Sequence, residues 1–238
     1  MAFTNSPLVN YTRISPYSSG RKGSNIDTIT IHCSAAQAAV ETLGSLFQTK
    51  QASANYGIGP DGRVGMYVEE INRSWATSDG ENDRRAVTIE VACENKHPYR
   101  VNDAAYKTLL DLVTDICRRN GIKKLIWSTS KADRVNHRNG CNMTVHRDYE
   151  NKACPGQWLY ERHEQIAAEV NKRLTEDEEM VRWNKIEDVP EGYREMAQRY
   201  IDAGALKGKG NGEIDLSEDM IRVMEIMRRY FESMMEGK

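Results

Sequence analysis

The chain has 238 residues, 39% of them apolar and 29% charged, with a formal net charge of −2. This balance allows a packed core and excludes wholesale disorder, and it lacks the basic excess of a nucleic-acid reader. No run of about 18 apolar residues is present, so no segment reads as a membrane-spanning helix. The first twenty residues lack the basic-then-apolar layout of a Sec-type signal peptide.

Five cysteines, at 33, 93, 117, 141 and 154, are odd in number and scattered, unlike the framework of a disulfide-stapled domain. Reduced thiols are therefore expected. Charge is unevenly divided. Residues 1–175 carry 23 Lys and Arg against 19 Asp and Glu, whereas residues 176–238 carry 10 against 16 and seven of the ten methionines. The acidic run Glu176-Asp177-Glu178-Glu179 reads as a solvated linker at this change. Two domains are expected, 1–175 and 176–238.

In chain order, Asp27–Cys33 alternates as a strand with Ile29 and Ile31 on one face and Thr30 and His32 on the other. Val40, Leu43, Gly44 and Phe47 fall at helical spacing. Asn55–Tyr67 holds a Pro-Asp-Gly turn between two short strands. Arg85–Cys93 is a strand with Glu90 on its polar face. Asn102 caps a long helix that Asn120-Gly121 stops. Leu125–Trp127 reads as a short buried strand, and Trp158–Leu174 as a closing helix.

The larger segment is thus an α/β domain, a central β-sheet flanked by helices. The smaller is mainly helical. Tyr193–Asp202 ends at Gly204, and Ser217 caps a helix whose stripe is Met220, Met224, Met227, Phe231 and Met234. A core of that size is marginal on its own.

His32 at a strand end, with His146 and Cys154 far along the chain, makes a three-ligand set of two imidazoles and one thiolate. That set suits Zn²⁺ and leaves a fourth position open. Cys33, Cys93 and Cys117 fit apolar faces and read as core. Cys141 reads as a loop residue, His97 and His137 as surface, and His163 as packing.

Four ordered motifs carry a resemblance. TITIHCSA places His32. NYGIGPDGRV matches a Y-x-I-x-x-D-G-x-V turn and places Tyr56. NDRRAVTIEVA is similar to an N-x-x-S-I-G-I-E strand and places Glu90. TVHRDYENKACPG matches H-x(5)-K-x-C-P-G and places His146, Lys152 and Cys154. From about Ile26 to Leu174 the sequence resembles zinc-dependent N-acetylmuramoyl-L-alanine amidases, the family of phage endolysins and peptidoglycan recognition proteins. Two positions depart from the pattern. Ser74-Trp75-Ala76-Thr77 stands where many relatives have Trp-His, and Ala86–Glu90 keeps the acid with added bulk.

The resemblance implies a mixed central sheet flanked by helices, and hydrolysis of the amide between N-acetylmuramic acid and L-alanine in bacterial peptidoglycan. Zn²⁺ on His32, His146 and Cys154 would activate water, and Lys152 would stand beside the oxyanion. Tyr56 and Glu90 are catalytic candidates, each with a structural alternative, and Trp75 and Asn82 are candidate substrate contacts. The second segment takes the place of a wall-binding module, with homodimer formation as the alternative. A phage or prophage endolysin, made in the host cytoplasm and acting on the wall after membrane breach, is the leading expectation. A non-catalytic peptidoglycan binder and a cytosolic muropeptide-recycling amidase are the competing ones.

Overall fold

A computed structural model describes residues 3–179, 181–210 and 212–236. The chain divides into two compact units, Met1–Leu174 and Thr175–Lys238.

The first unit opens with β1 (Val9–Thr12), β2 (Ser18–Gly20) and β3 (Thr28–Cys33). There follow α1 (Val40–Thr49), the hairpin β4 (Tyr56–Ile58) and β5 (Val64–Met66), then β6 (Asn72–Ser74). Next come α2 (Gly80–Arg85), β7 (Ala86–Val91), α3 (Asp103–Asn120), α4 (Lys131–Val135), β8 (Met143–Thr144), α5 (Gly156–Tyr160) and α6 (His163–Glu179).

Six strands form one mixed sheet in the order β1-β5-β4-β7-β3-β8. The β4–β5 pair is antiparallel, and the other pairs are parallel. The expected mixed sheet flanked by helices is the fold observed.

The two sheet faces have separate uses. Ile29 and Ile31 of β3 register with Val87 and Ile89 of β7, and Ile89 registers with Tyr56 of β4. This face is buried with Leu109, Val113 and Ile116 of α3 and with Ile166 and Val170 of α6. Each such aliphatic side chain contributes roughly 1.5–3 kcal/mol by leaving water.

The opposite face carries Thr30, Thr88, His32 and Glu90. There α1 packs against the hairpin, with Leu43 and Phe47 beside Tyr67. A Cβ on Gly57 would lie 2.7 Å from the Tyr67 ring and 2.8 Å from Leu43, so only glycine lets α1 approach. The long helix α3 begins and ends as its sequence indicates: Asn102 Oδ1 accepts from the Ala105 amide, and Gly121 takes the left-handed conformation.

Two expectations change. Leu125–Trp127 forms no strand; Leu125 and Ile126 instead give their amides to the side chains of Asn171 and Asn142. The closing helix is broken into α5 and α6, and α6 runs on to Glu179, so the acidic run read as a linker has helical backbone. Cys141 lies in a loop, as expected, and is buried there, its thiol 3.8 Å from the Met143 carbonyl.

The second unit contains β9 (Arg182–Trp183), α7 (Glu191–Asp202), β10 (Leu216–Ser217) and α8 (Glu218–Glu236), with β9 and β10 antiparallel. Ser217 Oγ accepts from the Met220 amide, the expected cap. Its buried core consists of Val189, Met196, Ala197, Leu216, Ile221 and Met224. Of the expected α8 stripe only Met224 is buried; Met220, Met227, Phe231 and Met234 are exposed.

Candidate metal centre and active site

The last residues of β3 and the segment after β8 bring the three expected ligands together. His32, His146 and Cys154 each offer a ligand atom, and these atoms lie within 4.8 Å of one another. Cys154 Sγ is 3.4 Å from His32 Nδ1, and the two imidazoles meet edge to face with centroids 5.1 Å apart.

His32 is fully buried, and burial pushes its pKa below the ordinary value; neighbouring Glu90 opposes that shift and His146 adds to it. The ring is held neutral, the form that binds a metal. His32 Nε2 and Glu90 Oε2 are buried without a hydrogen-bond partner, and His146 Nε2 has a carboxylate oxygen of Glu150 at 3.3 Å. Native interiors rarely leave such atoms unsatisfied. Two imidazole nitrogens and a cysteine sulfur are the donor set of a tetrahedral Zn²⁺ site with one position open. The residues present fit that ion.

Local structure fixes the ligand positions. His146 begins a 3₁₀ turn, His146–Asp148. Two residues on, Asp148 accepts a bidentate pair from Arg134, 2.7 Å from Nε and 2.6 Å from the terminal nitrogen, with both side chains almost fully buried. The Arg134 guanidinium also lies 4.5 Å from the Trp127 ring centre. After Cys154, Gly156 has φ +79°, and a Cβ there would stand 2.6 Å from Tyr99 Cβ. Glycine at 156 is therefore a steric requirement two residues from Cys154. Cys33 is half-buried; chiefly its hydrogen bond to the Cys154 sulfur pushes its pKa up to about 12, so this neighbouring thiol stays protonated.

Glu90 sits opposite His32 in the β3–β7 register, with Oε1 3.9 Å from His32 Nδ1. It lines a cleft of about 400 Å³ together with His146, Glu150, Lys152, Trp75 and Lys50. Lys152 Nζ is half-exposed and 3.6 Å from Glu150 Oε2, and that same carboxylate oxygen is 3.3 Å from His146 Nε2. Trp75 lies on the cleft wall, its indole against Tyr17 with centroids 5.8 Å apart.

Two expected site residues are not part of the cleft. Tyr56 registers with Ile89, so its side chain leaves the sheet on the face opposite His32 and Glu90. Its hydroxyl donates to Glu70 Oε1 at 2.7 Å and accepts from the Ser6 amide at 2.9 Å. Glu70 in turn accepts from Arg119 and Asn120 of α3. Burial raises the Tyr56 pKa. This tyrosine ties the N-terminal segment to the hairpin and α3, away from the metal cluster.

Asn82 is likewise buried. Its amide donates to Thr30 Oγ1 at 3.2 Å, and its Oδ1 accepts from Thr144 Oγ1 and the Tyr149 hydroxyl, both at 2.9 Å. It braces β3 against β8 and the His146 turn, and its side-chain amide is used inside the protein.

Sequence reasoning passed over Glu150, Lys50 and the Arg134–Asp148 pair. Glu150 was marked only by its place four residues after His146. His97 is exposed. His137 is half-buried, with Nδ1 2.9 Å from the Cys141 carbonyl. His163 is packed as expected: its Nδ1 donates to the Leu159 carbonyl and its ring lies 4.4 Å from the Trp127 ring centre.

The family model described as N-acetylmuramoyl-L-alanine amidase matches residues 22–157, more than half of the chain. The chain belongs to the N-acetylmuramoyl-L-alanine amidase family.

Among solved structures, a selenomethionyl derivative of AmpD is similar over 70% of this chain and 99% of its own, at 18% identity and a TM-score of 0.51. The Staphylococcus aureus hydrolase AmiA, in complex with its ligand, is similar over 73% of this chain and 86% of its own, at 13% identity and a TM-score of 0.51. The endolysine N-acetylmuramoyl-L-alanine amidase LysCS from Clostridium intestinale is similar over 68% of this chain and 93% of its own, at 18% identity and a TM-score of 0.50. These likenesses establish the shared fold. No curated protein sequence matches this chain.

Proposed function

We propose that this protein is a zinc-dependent peptidoglycan hydrolase of the endolysin kind. It cleaves the amide between N-acetylmuramic acid and the L-alanine that begins the stem peptide. The observation that carries this reading is the cluster of His32, His146 and Cys154 at the wall of a cleft that Glu90 also lines.

An amide is a poor electrophile and water a poor nucleophile. A zinc ion on the three ligands would polarise the scissile carbonyl and make water more acidic. Glu90 stands on the same sheet face as His32, where its carboxylate takes a proton from the attacking water and returns it to the leaving amine. Lys152, at the cleft rim, donates to the oxygen on which negative charge develops. Glu150 holds Lys152 and His146 at their approach. Trp75 offers an aromatic wall against which a sugar ring or peptide packs.

The endolysin part of the reading draws on the fold shared with LysCS, an endolysine, and on the five free thiols. A thiol ligand is kept reduced where the protein is made, in a bacterial cytoplasm, and is needed only once the membrane is breached.

The test is to load the purified protein with zinc and incubate it with purified cell walls. One zinc per chain, new L-alanine amino termini and no new reducing sugar ends are expected. Wall binding without released termini identifies a non-catalytic binder. Cleavage of soluble muropeptides but not of intact wall identifies a recycling enzyme. Lysis of host cells from within only after membrane permeabilisation supports the endolysin role.

A further inference from the structure

The helix α8 presents two apolar faces, and the second unit uses one of them. Ile221 and Met224 point into its core. Met220, Val223, Met227, Tyr230 and Met234 lie on a neighbouring face, between 39% and 60% exposed. Their spacing is three, four, three and four residues, the a/d seam of a coiled coil sustained for two heptads. Ile226 and Phe231 flank the seam and are also exposed.

Charged side chains of α8 between Glu218 and Glu232 are matched within the helix. Arg222 pairs with Glu218 at 2.6 Å, Glu225 with Arg228 at 2.8 Å and Arg229 at 2.7 Å, and Arg228 with Glu232 at 2.6 Å. They leave the seam free of charge.

We propose that this seam is the contact surface of a homodimer, occupied by α8 of a second copy of this chain. Three observations select that occupant. A strict heptad seam is complementary to another copy of itself, because each knob meets a hole of the same pattern. The area also agrees. Seven residues of these sizes at these exposures present on the order of 700 Å² per copy, against about 800 Å² per partner in a standard stable interface and about 300–600 Å² for the largest patch on a typical monomer. Finally, the described residues of the unit include six buried apolar ones, and its free-standing core is marginal without added staples or association.

A largely apolar hollow of about 430 Å³ lies beside the seam, lined by Tyr200, Leu206, Met220, Val223 and Met224, with Asp219 at its edge. It provides a socket for a side chain from the second helix. A wall glycan is a poor occupant, since the seam would strip its hydroxyls of water and the five seam side chains offer one hydroxyl, that of Tyr230, in return.

The test reads mass rather than hydrolysis, so its failure is distinct from failure of the amidase reading. Light scattering on the full-length protein, from low micromolar to hundreds of micromolar, should pass from 27.1 kDa to twice that value. Met227→Lys and Tyr230→Lys should each weaken the dimer by roughly 10–100-fold, with the helical circular dichroism unchanged. Arg222→Ala, away from the seam, should leave the dimer intact. If either lysine variant loses helicity, Ile226→Lys at the most exposed flanking position gives the same reading. A mass fixed at 27.1 kDa throughout overturns the proposal, and so does a dimer that survives every seam variant. Protection of α8 from hydrogen exchange only on addition of purified wall also overturns it, in favour of wall docking.

Discussion

His32 and Glu90 are register partners on adjacent parallel strands, with Nδ1 and Oε1 3.9 Å apart on the same sheet face. The sheet thus holds a candidate metal ligand and a candidate proton carrier at a fixed spacing. Glu90→Gln should retain zinc and lower kcat by roughly 10²–10⁴. Bound metal by mass spectrometry and turnover on wall fragments check it; undiminished turnover would remove Glu90 from proton transfer.

Cys154 supplies the one sulfur of the cluster. Cys154→Ser should bind zinc far more weakly and lose most activity, because a neutral hydroxyl replaces a thiolate. Zinc titration against a competing chelator measures the loss. Full metal content with full activity would show that the sulfur is not a ligand.

Lys152 stands at the rim and pairs with Glu150. Lys152→Ala should keep zinc and lower turnover by roughly 10²–10³, the usual effect of removing one oxyanion donor. Lys152→Arg should recover part of it. Equal kcat for wild type and Lys152→Ala would assign this residue to surface charge.

Tyr56 should behave in the opposite way. Tyr56→Phe removes a hydroxyl that bonds Glu70 and the Ser6 amide on the far side of the sheet. It should cost about 1–3 kcal/mol of stability and leave kcat and zinc content unchanged. Urea unfolding alongside kinetics separates the two, and a large loss of kcat at unchanged stability would return Tyr56 to the active site.

His163 gives the first unit a pH-dependent stability. Burial, with Arg134 and Arg147 nearby, lowers its pKa from 6.5 to about 4. The unfolded chain therefore takes up the proton first as pH falls. The stabilisation from the neutral ring is complete above pH 6.5 and is lost as pH falls toward about 4, amounting to roughly 3 kcal/mol at most. Denaturant titrations across that interval should show stability rising with pH, and His163→Phe should flatten this component. An unchanged slope in the variant would place the pH dependence elsewhere.

Much of this protein is determined by local pattern. Alternation set the faces of β3 and β7, Asn102 and Gly121 bounded α3, and the family-like motif around His146, Lys152 and Cys154 marked candidate ligands. These features are legible because each depends on residues close in sequence.

Tyr56 and Asn82 matched family motifs equally well, yet which face of the sheet each serves depends on strand register across segments more than thirty residues apart. The same holds for Glu150 beside His146, and for Arg134 reaching Asp148. On α8, the methionine pattern marked an apolar helix. Only packing against the rest of the second unit decided that Ile221 and Met224 are covered while Met220, Met227 and Met234 are not. Periodicity states that a helix has an apolar side; which part of that side is buried is settled by the neighbours that tertiary structure brings to it.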